Sequence, residues 1–189
     1  MNLELPLLRL ARLSLTNFRN YGGLTWRPAG RISVLFGANG SGKTNLLEAI
    51  SLLVPGRGLR GARVTDLPRH GAATWAVAAR FETADGPLDI GTGAVPNGRP
   101  KGQSEGQSEG RSERRTFLID GAAPRNQAEI AARVAAVWLT PQMDRLFQEA
   151  AGGRRRFLDR LVYALEPGHA REVAVSCAAT SRAWPGSNA

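Results

Sequence analysis

Cysteine is nearly absent from this chain of 189 residues. One thiol, Cys177, excludes an internal disulfide framework, and together with two histidines, His70 and His169, it makes no metal-ligand cluster. No apolar run approaches the ~20 residues that span a bilayer. Residues 1–10 carry Glu4 and Pro6 where a secretory leader has a basic start and an apolar core. The expectation is a soluble, cytoplasmic chain. Acidic side chains are scarce too, 16 against 25 basic ones, for a net charge of +9. Lysine is almost missing, with only Lys43 and Lys101, so the positive charge is arginine. Residues 1–60 hold eight basic groups against Glu4 and Glu48, residues 61–120 balance, and the remainder is +3. Such a surplus suits a polyanionic partner such as DNA or RNA, although an Arg- and Ala-rich composition also marks a GC-rich genome.

What is present is sharper. Residues 37–44, Gly37-Ala38-Asn39-Gly40-Ser41-Gly42-Lys43-Thr44, fit the phosphate-loop pattern G-x-x-x-x-G-K-[ST]. Ile32-Ser33-Val34-Leu35-Phe36 ahead of it reads as a buried strand, and Leu46, Leu47, Ile50 and Leu53 behind it recur at helical spacing. The three glycines allow a sharp turn that exposes consecutive N–H groups, and the helix start adds partial positive charge at the same point. Lys43 is placed to reach the β- and γ-phosphates, and the Thr44 hydroxyl to hold Mg²⁺. The pattern therefore predicts a nucleoside triphosphate site with Mg²⁺ as its metal.

Along the rest of the chain, near-alternate apolar positions over residues 8–15 predict a first strand, residues 16–23 a polar turn, and residues 24–27 a second strand. The first helix should stop at Pro55-Gly56, followed by a basic segment at residues 57–63. Trp75, Val77, Ala79 and Phe81 alternate, Asp85-Gly86 makes a turn, and Leu88 and Ile90 return, which is a β-hairpin. Residues 97–113 contain a four-residue Gly-Gln-Ser-Glu repeat with nothing apolar to bury, expected to be a disordered loop. A strand over residues 115–119 ends at Asp120-Gly121, and residues 126–133 suit a helix. Residues 135–140 fit either a continuation of that helix or a buried strand into Pro141-Gln142. Arg154, Arg155, Arg156 and Arg160 open a further helix whose apolar face is Phe157, Leu158, Leu161 and Leu165. Clustered guanidiniums of this kind suit a phosphate backbone, and equally an ordinary solvated face.

The pairing of Leu13-Ser14-Leu15-Thr16-Asn17-Phe18-Arg19-Asn20-Tyr21 with the glycine loop, joined later by Trp138-Leu139-Thr140-Pro141-Gln142 and by Arg154-Arg155-Arg156-Phe157-Leu158-Asp159, resembles the RecF family. That family comprises bacterial DNA-repair ATPases with an SMC-like, ABC-type head. The resemblance implies an α/β fold, a partial P-loop NTPase head whose mixed sheet carries an antiparallel β lobe, over about residues 1–172, with an atypical tail at residues 173–189. It implies ATP and DNA (single strands or duplex ends) as ligands, RecO and RecR as partners, an ATP-dependent homodimer, and a role in recombinational repair, replication and SOS induction. It gives Arg19, and with it Arg60, a phosphate role. It gives Gln142 a Q-loop contact to Mg²⁺, and Arg154, Arg155, Arg156 and Arg160 a DNA contact.

An ATP-hydrolysing head also needs a Walker B strand ending in Asp-Glu and an L-S-x-G signature. Neither is found. The nearest match to the first, Phe117-Leu118-Ile119-Asp120, is followed by Gly121, which suits a hairpin turn. The expectation is thus an N-terminal fragment of such a head, with weak or undetectable hydrolysis. The competing reading is a small complete P-loop kinase or GTPase that uses Asp120 to hold magnesium. Against it stand the missing guanine-recognition motif and antiparallel strands where such enzymes alternate strand and helix.

Overall fold

The computed structural model describes residues 8–94, 115–141, 143, 154, 155, 157–159, 161 and 162. Contacts within the chain group into two compact units, Met1–Arg125 and Asn126–Ala189.

The first unit is built on one antiparallel sheet of five strands in the order β2-β1-β3-β4-β5. These are β1 (Arg9–Phe18), β2 (Tyr21–Trp26), β3 (Trp75–Thr83), β4 (Gly86–Ala94) and β5 (Thr116–Ile119). The period-2 pattern of β3 is complete, with Trp75, Val77, Ala79 and Phe81 buried and the residues between them exposed. Register carries that pattern across the sheet. Leu13, Ala79, Ile90 and Ile119 form one inward row, and Leu15, Val77, Thr92 and Phe117 the next. Leu13, Val77 and Ile90 are wholly excluded from solvent, and each such side chain contributes about 1.5–3 kcal/mol by leaving water. One outward row is small, Thr16-Ala76-Gly93-Thr116, and another carries the charges of Arg12, Arg80 and Asp89.

Helix α1 (Lys43–Ser51) lies against β1 and buries Leu46 and Ala49, with Leu52 and Leu53 buried just beyond its end. Leu47, expected on that apolar face, is instead 49 % exposed. Arg115 ties β5 to the segment after α1, donating from Nη1 to the Gly56 carbonyl at 2.8 Å and from Nη2 to the Val54 carbonyl at 3.1 Å. Its guanidinium also lies 4.4 Å over the Phe117 ring. Burial pushes its pKa down to about 10, which leaves it charged at neutral pH.

The expected antiparallel lobe is present, and its hairpin turns at Ala84-Asp85, one residue ahead of the Asp85-Gly86 turn expected from sequence. The predicted polar turn at residues 16–23 shrinks to Arg19-Asn20, because β1 runs to Phe18 and β2 starts at Tyr21. The buried strand predicted over residues 32–36 is not one. No strand among the described residues pairs with this segment, and Ile32, Val34 and Phe36 are 87 %, 80 % and 92 % exposed. An apolar alternation buries itself only when neighbouring strands exist to receive it, and the five-stranded sheet ends at β2 and β5 without reaching it.

In the second unit α2 spans Gln127–Ala131. Asn126 caps it by accepting a hydrogen bond from the Glu129 N–H at 3.1 Å, and Ile130 and Val134 are buried. Residues 135–140 are neither helix nor paired strand, and Leu139 is 76 % exposed. Arg154, Arg155, residues 157–159, Leu161 and Val162 are helical, as their spacing predicts. Gln142, Arg156, Arg160, the 97–113 repeat and the 173–189 tail lie outside the described residues.

Candidate nucleotide site

The glycine loop folds as its residue types demand. Gly37, Gly40 and Gly42 take φ of 146°, 82° and 101°, values that an L side chain rarely adopts. Gly42 needs its missing Cβ twice over, since one built there would lie 2.7 Å from both Asn20 Nδ2 and the Tyr21 hydroxyl. Inside the loop the Ser41 N–H donates to the Ala38 carbonyl at 3.3 Å. The Lys43 ammonium turns back onto the loop and donates to the Gly37 and Ala38 carbonyls at 2.8 and 2.7 Å, fixing its shape.

Helix α1 starts at Lys43 with no side-chain cap and no acidic group in its first turn. Its leading N–H groups are therefore left to an anion from outside the helix. Thr44 is exposed at the same end. Ala38, Asn39, Gly40 and Ser41 are exposed around it, so the loop that was read from sequence is open to solvent on one side.

Beside the loop stands a network that sequence reasoning missed. Glu48 is 1 % exposed, deep on α1. Arg19 meets it in a two-pronged pair, Nε to Oε2 at 2.9 Å and Nη2 to Oε1 at 2.8 Å, and donates from Nη1 to the Asp66 carbonyl at 2.6 Å. Arg60 reaches the same carboxylate at 3.6 Å and donates to Asn45 Oδ1 at 3.0 Å. Asn45 in turn donates to Asn20 Oδ1 at 2.8 Å. Arg19, to which the resemblance gives a phosphate role, directs donors on all three nitrogens at Glu48 and Asp66, as a desolvated carboxylate takes a nearby fork-shaped cation. The signal in the sequence was slight: apart from Glu4, Glu48 is the sole acid among eight bases in residues 1–60, and it lies between buried positions of an apolar helix face.

Asp120 is a turn residue. It sits at φ 50°, its N–H donates to the Asp89 carbonyl at 2.8 Å, and its carboxylate accepts from the Asp89 N–H at 2.9 Å. One of its carboxylate oxygens is engaged by an amide of β4, and the kinase or GTPase reading that rested on Asp120 is not favoured. No group of three or more His, Cys, Asp or Glu among the described residues is placed to hold a metal. No described helix is long and apolar enough to cross a membrane.

A glycine loop entering an uncapped helix, packed on an antiparallel sheet, has the fold of part of an ABC- or SMC-type head. Residues 12–82 match the family model described as an AAA domain. Over 85 % of its length the chain is 48 % identical to the DNA replication and repair protein RecF of Caulobacter sp. (strain K31), and 47 % identical to that of Mesorhizobium japonicum. It covers 40 % and 39 % of those proteins. Among solved structures it superposes on the recombination mediator protein RecF-ATPrS of the RecFOR pathway with a TM-score of 0.73 at 23 % identity, covering 88 % of this chain and 41 % of that one. The SMC head domain from Thermotoga maritima gives 0.50 at 22 % identity, covering 75 % and 51 %. The chain is similar to RecF proteins over most of its own length, and spans about 40 % of the length of the curated relatives it matches.

Proposed function

We propose that this chain binds ATP with Mg²⁺ at residues 37–44 and serves as the nucleotide-binding part of a RecF-type DNA repair protein. The observation that carries this reading is the uncapped start of α1 behind three left-handed glycines, with Lys43 already drawn to the loop. A triphosphate seats its β- and γ-oxygens on the free N–H groups and on the Lys43 ammonium, which leaves the loop carbonyls for the more negative partner. Thr44 then supplies a hydroxyl to Mg²⁺. The relatives' printed names, DNA replication and repair protein, and the RecFOR pathway named for the solved neighbour support DNA, RecO and RecR as partners; we take the cytoplasm as the place of action. The helical Arg154 and Arg155 belong to the run, with Arg156 and Arg160, that we assign to the DNA backbone. An ATP-joined pair of heads is the family's form of assembly that this reading carries over. Steady hydrolysis is not expected of this chain alone, because it contains neither Asp-Glu Walker B nor L-S-x-G.

The test is equilibrium binding of a fluorescent ATP analogue to the purified chain with Mg²⁺. Saturable binding that ATP competes away and that Lys43→Ala abolishes is the expected result. A folded chain that ignores ATP, or a Lys43→Ala variant that binds as well as its parent, overturns the proposal.

A further inference from the structure

Between Glu4 and Glu48 the chain carries no acidic side chain, and the arginines of that stretch are unevenly placed in the fold. Arg19 is committed to Glu48 near the phosphate loop. Arg9, Arg12, Arg27 and Arg31 gather at the other end of the sheet, where β1 begins and β2 ends. Arg12 stands directly opposite Arg80 in register, and like charges so placed cost stability. Asp89 and Glu82 answer Arg80 and Arg9. Arg27 and Arg31 are exposed and make no ion pair or side-chain hydrogen bond with another described residue. A cleft lined by one sign of charge focuses its field on a counter-ion.

Such a cleft is present at this end, a cavity of about 280 Å³. Arg9 and Arg31 line it together with Leu10, Trp26, Pro28 and Ser33. Trp26 is half-buried and is fixed by pairing with Leu13 on β1. Arg9 meets Glu82 through Nε and Nη2 and keeps Nη1 for another acceptor. The volume suits one planar ring system and is small for a drug-sized ligand. An indole, two apolar side chains, a hydroxyl and two guanidiniums are the set that receives an unpaired base with its phosphates, since bases stack on aromatic side chains and arginines track the backbone. β1 is ten residues long, about 30 Å from end to end, and Asn20 meets Gly42 of the phosphate loop beyond its far end. The cavity is therefore separate from the ATP site.

We propose that this cavity is a subsite for one unpaired base of single-stranded DNA, stacked on Trp26, with the flanking phosphates held by Arg9 and Arg31 and, around the edge of β2, by Arg27. The inference rests on the reading of this chain as DNA-binding. To the arginine run assigned above it adds a contact that recognises a base as well as backbone. A base paired within a duplex is not free to enter, so the site favours strands whose bases are unstacked.

The experiment measures the affinities of the parent chain, Trp26→Ala, Arg31→Gln and Ser33→Phe for a short fluorescein-labelled oligothymidylate and for a strand of the same length that lacks bases. Trp26→Ala is expected to weaken the oligothymidylate about tenfold, the effect of one lost stacking contact, and to leave the abasic strand unaltered. Arg31→Gln should weaken both, and should lower the slope of log affinity against log salt by about 0.7, the mark of one phosphate contact on a single strand. Ser33→Phe fills the cavity from an exposed position and should repeat the Trp26→Ala pattern; it decides the matter should Trp26→Ala fail to fold. Oligothymidylate binding that both of these leave unchanged, or an equal loss on the abasic strand, overturns the proposal. Thymidine monophosphate that displaces the oligothymidylate at matching concentration makes the site one for a free nucleotide, and overturns it too. A parent chain that binds neither strand overturns the DNA reading itself, whereas a parent that binds both, with all three variants unaltered, overturns this inference alone.

Discussion

Replacing Arg19 by alanine separates a buried ion pair from an exposed one in the same molecule. The substitution takes both short contacts from a carboxylate that is 1 % exposed, and leaves it Arg60 at 3.6 Å. Stranding one member of a buried pair costs about 3–5 kcal/mol. Because Arg60 remains, the low end applies, about 3 kcal/mol. With a urea slope of about 2 kcal/mol per molar for a domain of this size, the unfolding midpoint should fall by about 1.5 M. Arg9 offers the contrast. It meets Glu82 through Nε at 2.9 Å and Nη2 at 2.6 Å, but the two side chains are 35 % and 55 % exposed. The geometry is similarly short, yet water already solvates both charges, so Arg9→Ala should cost less than about 1 kcal/mol. Arg19→Gly should be about 1 kcal/mol less damaging than Arg19→Ala, since glycine relieves the left-handed φ of 53°. Removing both charges in Arg19→Met/Glu48→Leu should recover much of the loss. Urea titration followed by tryptophan fluorescence, for which the 2 % exposed Trp75 is a suitable reporter, reads all four. If Arg19→Ala unfolds within about 0.3 M of its parent, or Arg9→Ala falls equally far, then burial is not what sets the strength of these pairs, and the reasoning fails.

Three further outcomes are expected. Gly93→Ala places a Cβ 2.5 Å from the Trp75 carbonyl oxygen and should destabilise by about 1–3 kcal/mol through backbone displacement; Gly91→Ala, whose nearest neighbour is the Leu118 Cβ at 3.9 Å, should gain about 0.4–1 kcal/mol, so thermal melts of the two must move in opposite directions. Arg115→Met leaves the Val54 and Gly56 carbonyls without their charged donor and should cost about 2 kcal/mol, read as a lower urea midpoint. The Arg80 guanidinium, hydrogen-bonded to Asp89, holds that carboxyl below its ordinary pKa, with Arg80 and Arg12 charge adding to the effect against opposing burial. The folded pKa is the lower one, so this contribution is complete above about pH 4 and disappears as pH falls through the folded value. Carbon-detected NMR titration should return Asp89 toward the usual range in Arg80→Gln.

The parts of the fold legible in the sequence were those fixed by local chemistry. Three glycines that need positive φ, a Lys-Thr pair and an apolar helix face identify the loop and α1, and strict alternation around Asp85-Gly86 identifies β3 and β4. What escaped depends on partners far along the chain. Arg19 and Glu48 are 29 residues apart, and nothing near Arg19 in sequence marks a carboxylate as its destination. Asp120 looked ambiguous until Asp89, 31 residues earlier, was found to donate to it. Residues 32–36 have the pattern of a core strand, but pattern expresses the need for burial and neighbours decide whether it is met.

That segment has a practical consequence. Three bulky hydrocarbon side chains, Ile32, Val34 and Phe36, stand bare ahead of the phosphate loop. A stretch with a bare apolar side chain at every second residue recruits any compatible strand it meets, its own twins included. Handling of this chain at high concentration therefore turns on giving that seam something to zip against, and a lysine at Val34 is the cheapest way to blunt it.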